Sequence, residues 1–370
     1  MREYEGFTGL EGLARERTRS RWYLAIAVLA CLILLAAVIP SPFSIERPGP
    51  VVNTLGEVSI EGEVRPVISI PGEKTYPTTG ALNLLTVSIV GSPDHPASWL
   101  SLVPALFDPA QRIAPRTEFY PEGTTVEDRE AQSTMLMQSS QAQAAAAAFR
   151  ALGQDVKVTL NVAAVSPDGP AEGVLEENDV LLSVGGTPVS DFAELRAAII
   201  AAGAGEPLGL GIERDGAEME VELTPVVPEG GSDPLIGAVI SSNYELPAEV
   251  DISLSEIGGP SAGMVFALSI VDQLTPGGML NGQSVSGTGT VTDTGVVGPI
   301  GGLEQKMWAA SRADSKLFLM PVGNCGDVPS RIPPGLEVAP VATVKEALEV
   351  IEAGTKGEPV PGLERCDVSS

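Results

Sequence analysis

Gly258-Gly259-Pro260-Ser261-Ala262-Gly263 and Gly301-Gly302-Leu303-Glu304-Gln305-Lys306 are the two stretches that decide how this chain is interpreted. The 370 residues include a single histidine, so a serine nucleophile would need a base other than imidazole. A lysine can take that place once its amine is neutral. The two stretches together therefore indicate a serine peptidase.

Ser261 precedes an uninterrupted apolar run over residues 264–271, which predicts a helix beginning near the serine. At such a helix start, free backbone N–H groups and the helix dipole can stabilise an oxyanion, which suits acyl transfer. The alternative is an ordinary helix cap, a role that serine often has.

Lys306 follows 45 positions later in a stretch with helical character. Leu303, Met307 and Ala310 fall on one face of that helix, and Lys306 shares this face through its spacing. A buried amine has a lowered pKa, and its neutral form can remove a proton from a serine hydroxyl. The alternative is a side chain that covers apolar surface and keeps its charge in water.

In combination, the two motifs resemble the proteolytic domain of Lon proteases over roughly residues 251–353. The resemblance implies that Ser261 is the nucleophile and Lys306 the general base of a Ser-Lys dyad. It also implies supporting roles for Gly259, Pro260 and Thr288, the threonine lying close to the lysine amine. No Gly-x-x-x-x-Gly-Lys-Ser/Thr motif occurs in the sequence, so the expected activity is independent of ATP.

Residues 154–228 resemble a PDZ domain of bacterial envelope proteases. The stretch contains a Ser166-Pro167-Asp168-Gly169-Pro170-Ala171 turn, an Asn178-Asp179 pair and a capping box formed by Asp191 and Glu194. Such a domain binds an extended peptide as an added strand. Leu152, Gly153 and Gln154 are the candidate loop for the peptide carboxylate. The alternative is a module that only packs against its neighbour.

Residues 22–39 are eighteen consecutive residues without a charge, preceded by arginines at positions 15, 17, 19 and 21. A helix of this length spans roughly 27 Å, which predicts a transmembrane helix with residues 1–21 in the cytoplasm. A cleaved signal peptide is the alternative. The order of anchor, β-rich segment, PDZ module and Lon-like segment resembles the membrane-anchored, PDZ-containing Lon-like peptidases of Gram-positive bacteria. In that family the PDZ module interrupts the protease domain.

The composition limits the classes of partner that the protein is expected to bind. Acidic residues number 48 and basic residues 22, an excess that argues against nucleic acid. No spacing of ligand residues indicates a metal site, and no cofactor is expected. Cys325 and Cys366 fall on the predicted exported side, where they either pair in a disulfide or remain free thiols.

The predicted fold class is α+β, with a Lon-type domain interrupted by a PDZ domain. A proline-rich linker over residues 40–50 leads into a β-rich part with one long helix over 51–153. The PDZ module at 154–228 is followed by the Lon-like segment at 235–353 and a tail at 354–370.

The functional prediction is a membrane-anchored, ATP-independent serine endopeptidase that acts on polypeptides outside the cytoplasm, with a PDZ module for capture or gating. Its rival is a non-catalytic adaptor that keeps a Lon-like fold and binds protein tails. Lon-like domains often form rings, so a homo-oligomer is also expected.

Overall fold

The structure, a computed structural model, describes residues 8–60, 62–121, 123–228, 230–254 and 258–367, with side chains from residue 22 to residue 366. It is mixed α+β, as predicted. The helices are α1 (Thr8–Val38), α2 (Trp99–Ala105), α3 (Arg116–Phe119), α4 (Val126–Ala151), α5 (Phe192–Ala202), α6 (Gly263–Leu274), α7 (Leu303–Arg312) and α8 (Val344–Lys356). The strands are β1 (Phe43–Asn53), β2 (Glu57–Ile60), β3 (Glu63–Pro66), β4 (Ile68–Ser69), β5 (Ala81–Val90), β6 (Arg112–Pro115), β7 (Lys157–Val165), β8 (Val180–Val184), β9 (Thr187–Pro188), β10 (Leu208–Arg214), β11 (Ala217–Leu223), β12 (Ala238–Glu245), β13 (Asp251–Ile252), β14 (Ser284–Gly287), β15 (Thr290–Val291), β16 (Val297–Gly298), β17 (Leu317–Pro321) and β18 (Glu337–Val341).

The chain divides into two compact units. The first combines residues 1–69, 74–144 and 251–370, and the second combines residues 70–73 and 145–250. The first unit is therefore built from chain segments on both sides of the second.

A six-stranded sheet organises the first unit, in the order β18-β17-β14-β5-β1-β6. Strand β14 is parallel to β5, with Ser284 opposite Ala81, whereas β1 is antiparallel to both β5 and β6. Strands from the N-terminal and C-terminal thirds of the chain thus share one sheet. The apolar run after Ser261 forms α6, whose residues 263–272 are all buried.

The second unit is a sheet in the order β11-β10-β8-β7-β12, with β9 paired to β8. Its core contains Leu160, Leu181, Leu210 and Ile212 together with Leu195 of α5. The predicted cap of α5 is confirmed, because the Asp191 carboxylate accepts a hydrogen bond from the Glu194 backbone N–H. Strand β12 pairs with β7 in this sheet. Residues 238–245 therefore lie in this unit, and not in the protease segment that the sequence predicted to begin at 235.

The proline-rich stretch at residues 40–50 was predicted as a linker, but residues 43–50 belong to β1. Strand β6 pairs only with residues 43–46 of β1, so Pro48 and Pro50 lie where one side of β1 has no partner strand. The pairing of β1 with β5 also shifts register between Pro48 and Val51. A strand tolerates proline where a ladder hydrogen bond is not needed, which explains why these prolines do not end β1.

Helix α1 covers the apolar run predicted at residues 22–39 and ends at Val38, one residue earlier. Its large apolar side chains from Trp22 onward are exposed. In the part of the chain that the structure describes, no helix combines the length and apolar character needed to cross a membrane. The predicted transmembrane helix is therefore not supported. The side chains of the preceding arginines lie outside the described residues.

Candidate active site

Ser261 lies in a 3₁₀ turn, Pro260–Ala262, that leads directly into α6. Gly259 precedes the turn with φ of 89°, a conformation that costs side-chain-bearing residues energy. The Ser140 hydroxyl donates to the Pro260 carbonyl over 2.9 Å, and the Gly289 N–H donates to the Ser261 carbonyl over 2.9 Å. The turn that carries the serine is thus fixed by contacts with two other segments.

Lys306 lies on α7 and is 3% exposed. Its Nζ atom is 2.9 Å from the Ser261 Oγ atom and 3.0 Å from the Thr288 Oγ1 atom. The Thr288 hydroxyl in turn donates to the Ser261 carbonyl over 3.2 Å. The structure therefore brings the three residues together, although they are far apart in the sequence.

Burial lowers the pKa of Lys306 from 10.5 to about 8, because an ammonium group loses hydration in a protein interior. The negative charge of Glu46 acts in the opposite direction and raises the pKa of Lys306. A substantial fraction of this amine is consequently neutral near pH 8. A neutral amine in contact with a serine hydroxyl can accept its proton.

Ser261 and Lys306 open onto a cleft of about 910 Å³ in the first unit. Residues 86–89 of β5 form part of its wall, and residues 299–302 form another part. Charged side chains also line it: Glu46, Arg112, Glu118 and Arg129. A cleft of this size can hold several residues of an extended polypeptide.

Sequence reasoning missed Glu46, Arg112 and Asn324, which shape the cleft. Glu46 is on β1, and its strand partner Arg112 is 66 positions away in the sequence. The Asn324 side chain accepts from the Ile300 N–H over 2.9 Å and donates to the Ile300 carbonyl over 2.8 Å. No local spacing marks these residues, because their partners become neighbours only through the sheet and its connections.

The predicted peptide loop of the second unit is wrong in its detail. The N–H groups of Leu152, Gly153 and Gln154 donate to the carbonyls of Ala148, Arg150 and Phe149, respectively. These three amides complete the C-terminal end of α4, as amides after a helix commonly do. They are therefore already bonded and do not form a free cradle for a carboxylate.

Two other site predictions concern metals and cysteines. Among the described residues, no group of three or more His, Cys, Asp or Glu side chains could hold a metal ion. Cys325 and Cys366 form a disulfide, which resolves the alternatives that the sequence left open. Cys31 is a free and exposed thiol.

Comparison with known protein families matches two parts of the chain. The profile of the Lon protease (S16) C-terminal proteolytic domain matches residues 255–353, which include Ser261, Thr288 and Lys306. The PDZ profile matches residues 126–224. The chain contains a Lon-type proteolytic domain and a PDZ domain.

Individual relatives match the Lon-type domain. The Lon protease of Azospirillum brasilense is 42% identical over 94 residues, which is 25% of this chain and 11% of the relative. Lon protease 1 of Myxococcus xanthus is 35% identical over 112 residues, 30% of this chain and 14% of the relative. The match thus spans only about a tenth of the length of these curated relatives.

Solved structures match the PDZ domain. The PDZ domains of the SdrC-like proteins of Listeria monocytogenes and Listeria innocua are each 20% identical, with a TM-score of 0.21. Each match covers 22% of this chain, and 85% and 92% of the two solved domains, respectively.

Proposed function

We propose that this protein is an ATP-independent serine endopeptidase in which Ser261 is the nucleophile and Lys306 the general base. The observation that carries the proposal is the contact of 2.9 Å between the Lys306 Nζ and Ser261 Oγ atoms, made by an amine whose pKa is lowered to about 8. The Lon-type profile across both residues supports the same assignment.

In the proposed mechanism, neutral Lys306 takes the hydroxyl proton of Ser261 while the serine oxygen attacks the substrate carbonyl carbon. The oxyanion develops near the N-terminal end of α6, where the helix dipole favours negative charge. Protonated Lys306 then donates its proton to the leaving amine, and an ester to Ser261 remains. Water attacks this ester, with Lys306 again as base, and Ser261 is regenerated. Thr288 keeps the lysine amine directed at the serine throughout.

The experiment that tests this proposal measures cleavage of fluorescently labelled casein by the full chain. We expect Ser261→Ala and Lys306→Ala to abolish cleavage, because each removes a reacting group. The matched controls are Ser101→Ala and Lys316→Ala, which alter exposed residues and should retain activity. Undiminished cleavage by either dyad variant would exclude the mechanism. If the wild type binds polypeptide without cleaving it, the protein is an adaptor instead.

We further propose that the PDZ domain captures extended polypeptides along β12. This strand is at one edge of its sheet, and the apolar side chain of Val239 on it is exposed. An edge strand can accept a peptide as an additional strand through backbone hydrogen bonds. We expect Val239→Asp in a Ser261→Ala background to weaken binding of an unfolded polypeptide. Met219→Asp on β11, the opposite edge, is the matched control and should bind as before.

A location outside the cytoplasm is also proposed. The disulfide between Cys325 and Cys366 supports it, because disulfides persist in oxidising compartments. Membrane attachment through residues 22–39, with the N-terminus cytoplasmic, is proposed from the uncharged run and the exposed apolar side chains of α1. Carbonate extraction and protease protection of cells that express the full chain test both parts. The mass of the mature protein distinguishes an anchor from a cleaved signal peptide.

The homo-oligomer expected from the resemblance to Lon-like domains is likewise a proposal. Light scattering of the purified full chain, at several concentrations, measures its molar mass. A mass of 38.2 kDa at every concentration would show a monomer.

A further inference from the structure

Glu46 is a buried acidic residue in the wall of the catalytic cleft, and it takes no part in the proposed proton transfers. It lies on β1 and is 5% exposed. A carboxylate at this depth loses hydration, so its presence requires compensating partners. The structure places a neighbouring group beside each of its two carboxylate oxygens.

The first partner is Arg112 on β6, which is directly opposite Glu46 in the strand register. The Arg112 Nε atom donates to the Glu46 Oε2 atom over 2.6 Å. The guanidinium also donates to the Glu118 Oε1 atom over 2.7 Å, through its Nη2 atom. Arg112 thus links the buried carboxylate to an exposed one and fixes the orientation of Glu46.

The second partner is the beginning of α7, the helix that carries Lys306. Gly302 is the residue before this helix, and having no side chain it cannot cap the free backbone N–H groups. A Cβ atom at Gly302 would lie only 2.9 Å from the Glu46 Oε1 atom, so this oxygen is immediately next to the helix end. The positive end of a helix dipole stabilises a carboxylate placed there. Glu46 therefore places a negative charge beside a helix end that Gly302 cannot cap.

Lys306 is one turn into α7, and its backbone N–H donates to the Gly302 carbonyl over 3.1 Å. Its amine contacts the uncharged side chains of Ser261 and Thr288. The charged groups of the cleft are Glu46 on β1, Arg112 on β6, Glu118 on α3 and Arg129 on α4. Of these four, Glu46 is the buried one, and low exposure strengthens its interaction with the amine.

We infer that Glu46 is a positioning residue of the dyad: it holds the start of α7 and keeps Lys306 able to take up a proton. This inference rests on the proposed function. Burial alone would drive the amine toward a permanently neutral state, which could accept a proton from Ser261 only weakly. The charge of Glu46 opposes this tendency and keeps the lysine basic enough to act first as base and then as acid.

The test is the pH dependence of kcat/KM for casein cleavage by full-chain variants. In Glu46→Gln the shape of the side chain is kept and its charge is lost. We expect the midpoint of the acidic limb to move down by about 0.5 pH unit or more, because the ammonium form loses its stabilising neighbour. In the control Glu349→Gln, which removes an exposed carboxylate of α8 outside the cleft, the midpoint should stay within about 0.2 pH unit of wild type. A general loss of structure lowers the rate without moving this midpoint.

An unchanged midpoint in Glu46→Gln, or an equal shift in both variants, overturns the inference. Because Glu46→Gln could fold poorly, Glu46→Asp provides a second measurement. It keeps the charge, so its midpoint should stay within about 0.3 pH unit of wild type. A midpoint for Glu46→Asp that falls as far as expected for the glutamine variant likewise overturns the role of the charge. Failure of the dyad itself gives a different result, since Lys306→Ala would then retain activity.

Discussion

Lys306 combines two properties that conflict in a stable protein: it is ionisable, and it is 3% exposed. Burial lowers its pKa to about 8, so the amine becomes the active base as pH rises through that value. We predict that kcat/KM for casein rises about tenfold per pH unit on the acidic side and levels off above about pH 8. Stopped assays in a constant-ionic-strength buffer series measure this profile. A profile that is flat from pH 6 to 9 would contradict the role of Lys306.

The same burial reduces stability. The pKa of Lys306 in the folded protein, about 8, is below the 10.5 of the unfolded chain, so the unfolded state binds more protons between these values. The contribution of Lys306 to the free energy of unfolding therefore becomes more favourable as pH rises from about 8 to 10.5. At pH 6.5 the difference between 10.5 and about 8, at about 1.4 kcal/mol per pKa unit, costs roughly 3 kcal/mol, more than the roughly 2 kcal/mol that two hydrogen bonds recover.

We therefore predict that Lys306→Met raises the free energy of unfolding at pH 6.5 by on the order of 1 kcal/mol. The advantage should shrink by pH 10, where the wild-type amine is neutral in the folded state and the unfolded state is beginning to lose its extra proton. Urea unfolding of both proteins at the two pH values measures the difference. Lys316→Met, at an exposed site, serves as control and should show no such dependence. A variant less stable than wild type at pH 6.5 would refute the account.

At the scale of elements, local signals in the sequence predicted several features well. The long helix predicted within residues 51–153 is α4, the Asp191 cap starts α5, and the run after Ser261 is α6. Each depends on chemistry within a few residues. The strand at residues 43–50 could not be predicted in this way. Its prolines are tolerated because β6 pairs with β1 only as far as Glu46, which leaves the later residues of β1 without a partner on that side. Likewise, the amides after α4 are occupied by that helix and are unavailable to a peptide.

The connection that leads into α7 depends on Asn324, which is 1% exposed and bonds both backbone groups of Ile300. We predict that Asn324→Ala lowers the free energy of unfolding by about 1–3 kcal/mol, because it leaves these groups without partners. It should also lower kcat/KM, since the connection forms part of the cleft wall. Thermal unfolding and casein cleavage measure the two effects. Gln132→Ala, at an exposed position on α4, is the control, and equal effects of the two variants would count against this role.

At the scale of the whole molecule, the protease unit is assembled from segments that the second unit separates in the sequence. The order and separation of the two motifs, which resemble those of Lon proteases, predicted that Ser261 and Lys306 belong to one site. They could not reveal that β1 and β5 complete the sheet beneath these residues, or that β1 brings Glu46 to the start of α7. Those relations follow from pairing between strands about 200 residues apart, such as Asn83 opposite Ser286.

The C-terminal end of the chain is joined to this unit by the disulfide between Cys325 and Cys366, 41 positions apart. Both cysteines pack against the apolar cluster that includes Met307 and Ala310 of α7. Closing a loop of this length restricts the unfolded chain, and removing the bond should lower the free energy of unfolding by about 2–4 kcal/mol. We predict this loss for a variant that combines Cys325→Ser and Cys366→Ser.

The measurement is thermal unfolding of the full chain with and without a thiol reductant. Reductant should lower the Tm of the wild type toward that of the double variant, whose own Tm should not respond. Cys31→Ser is the matched control, because it removes the exposed free thiol and leaves the bond intact. It should behave as wild type in both conditions. If the double variant unfolds at the wild-type Tm, the bond restricts the unfolded chain far less than its loop length implies.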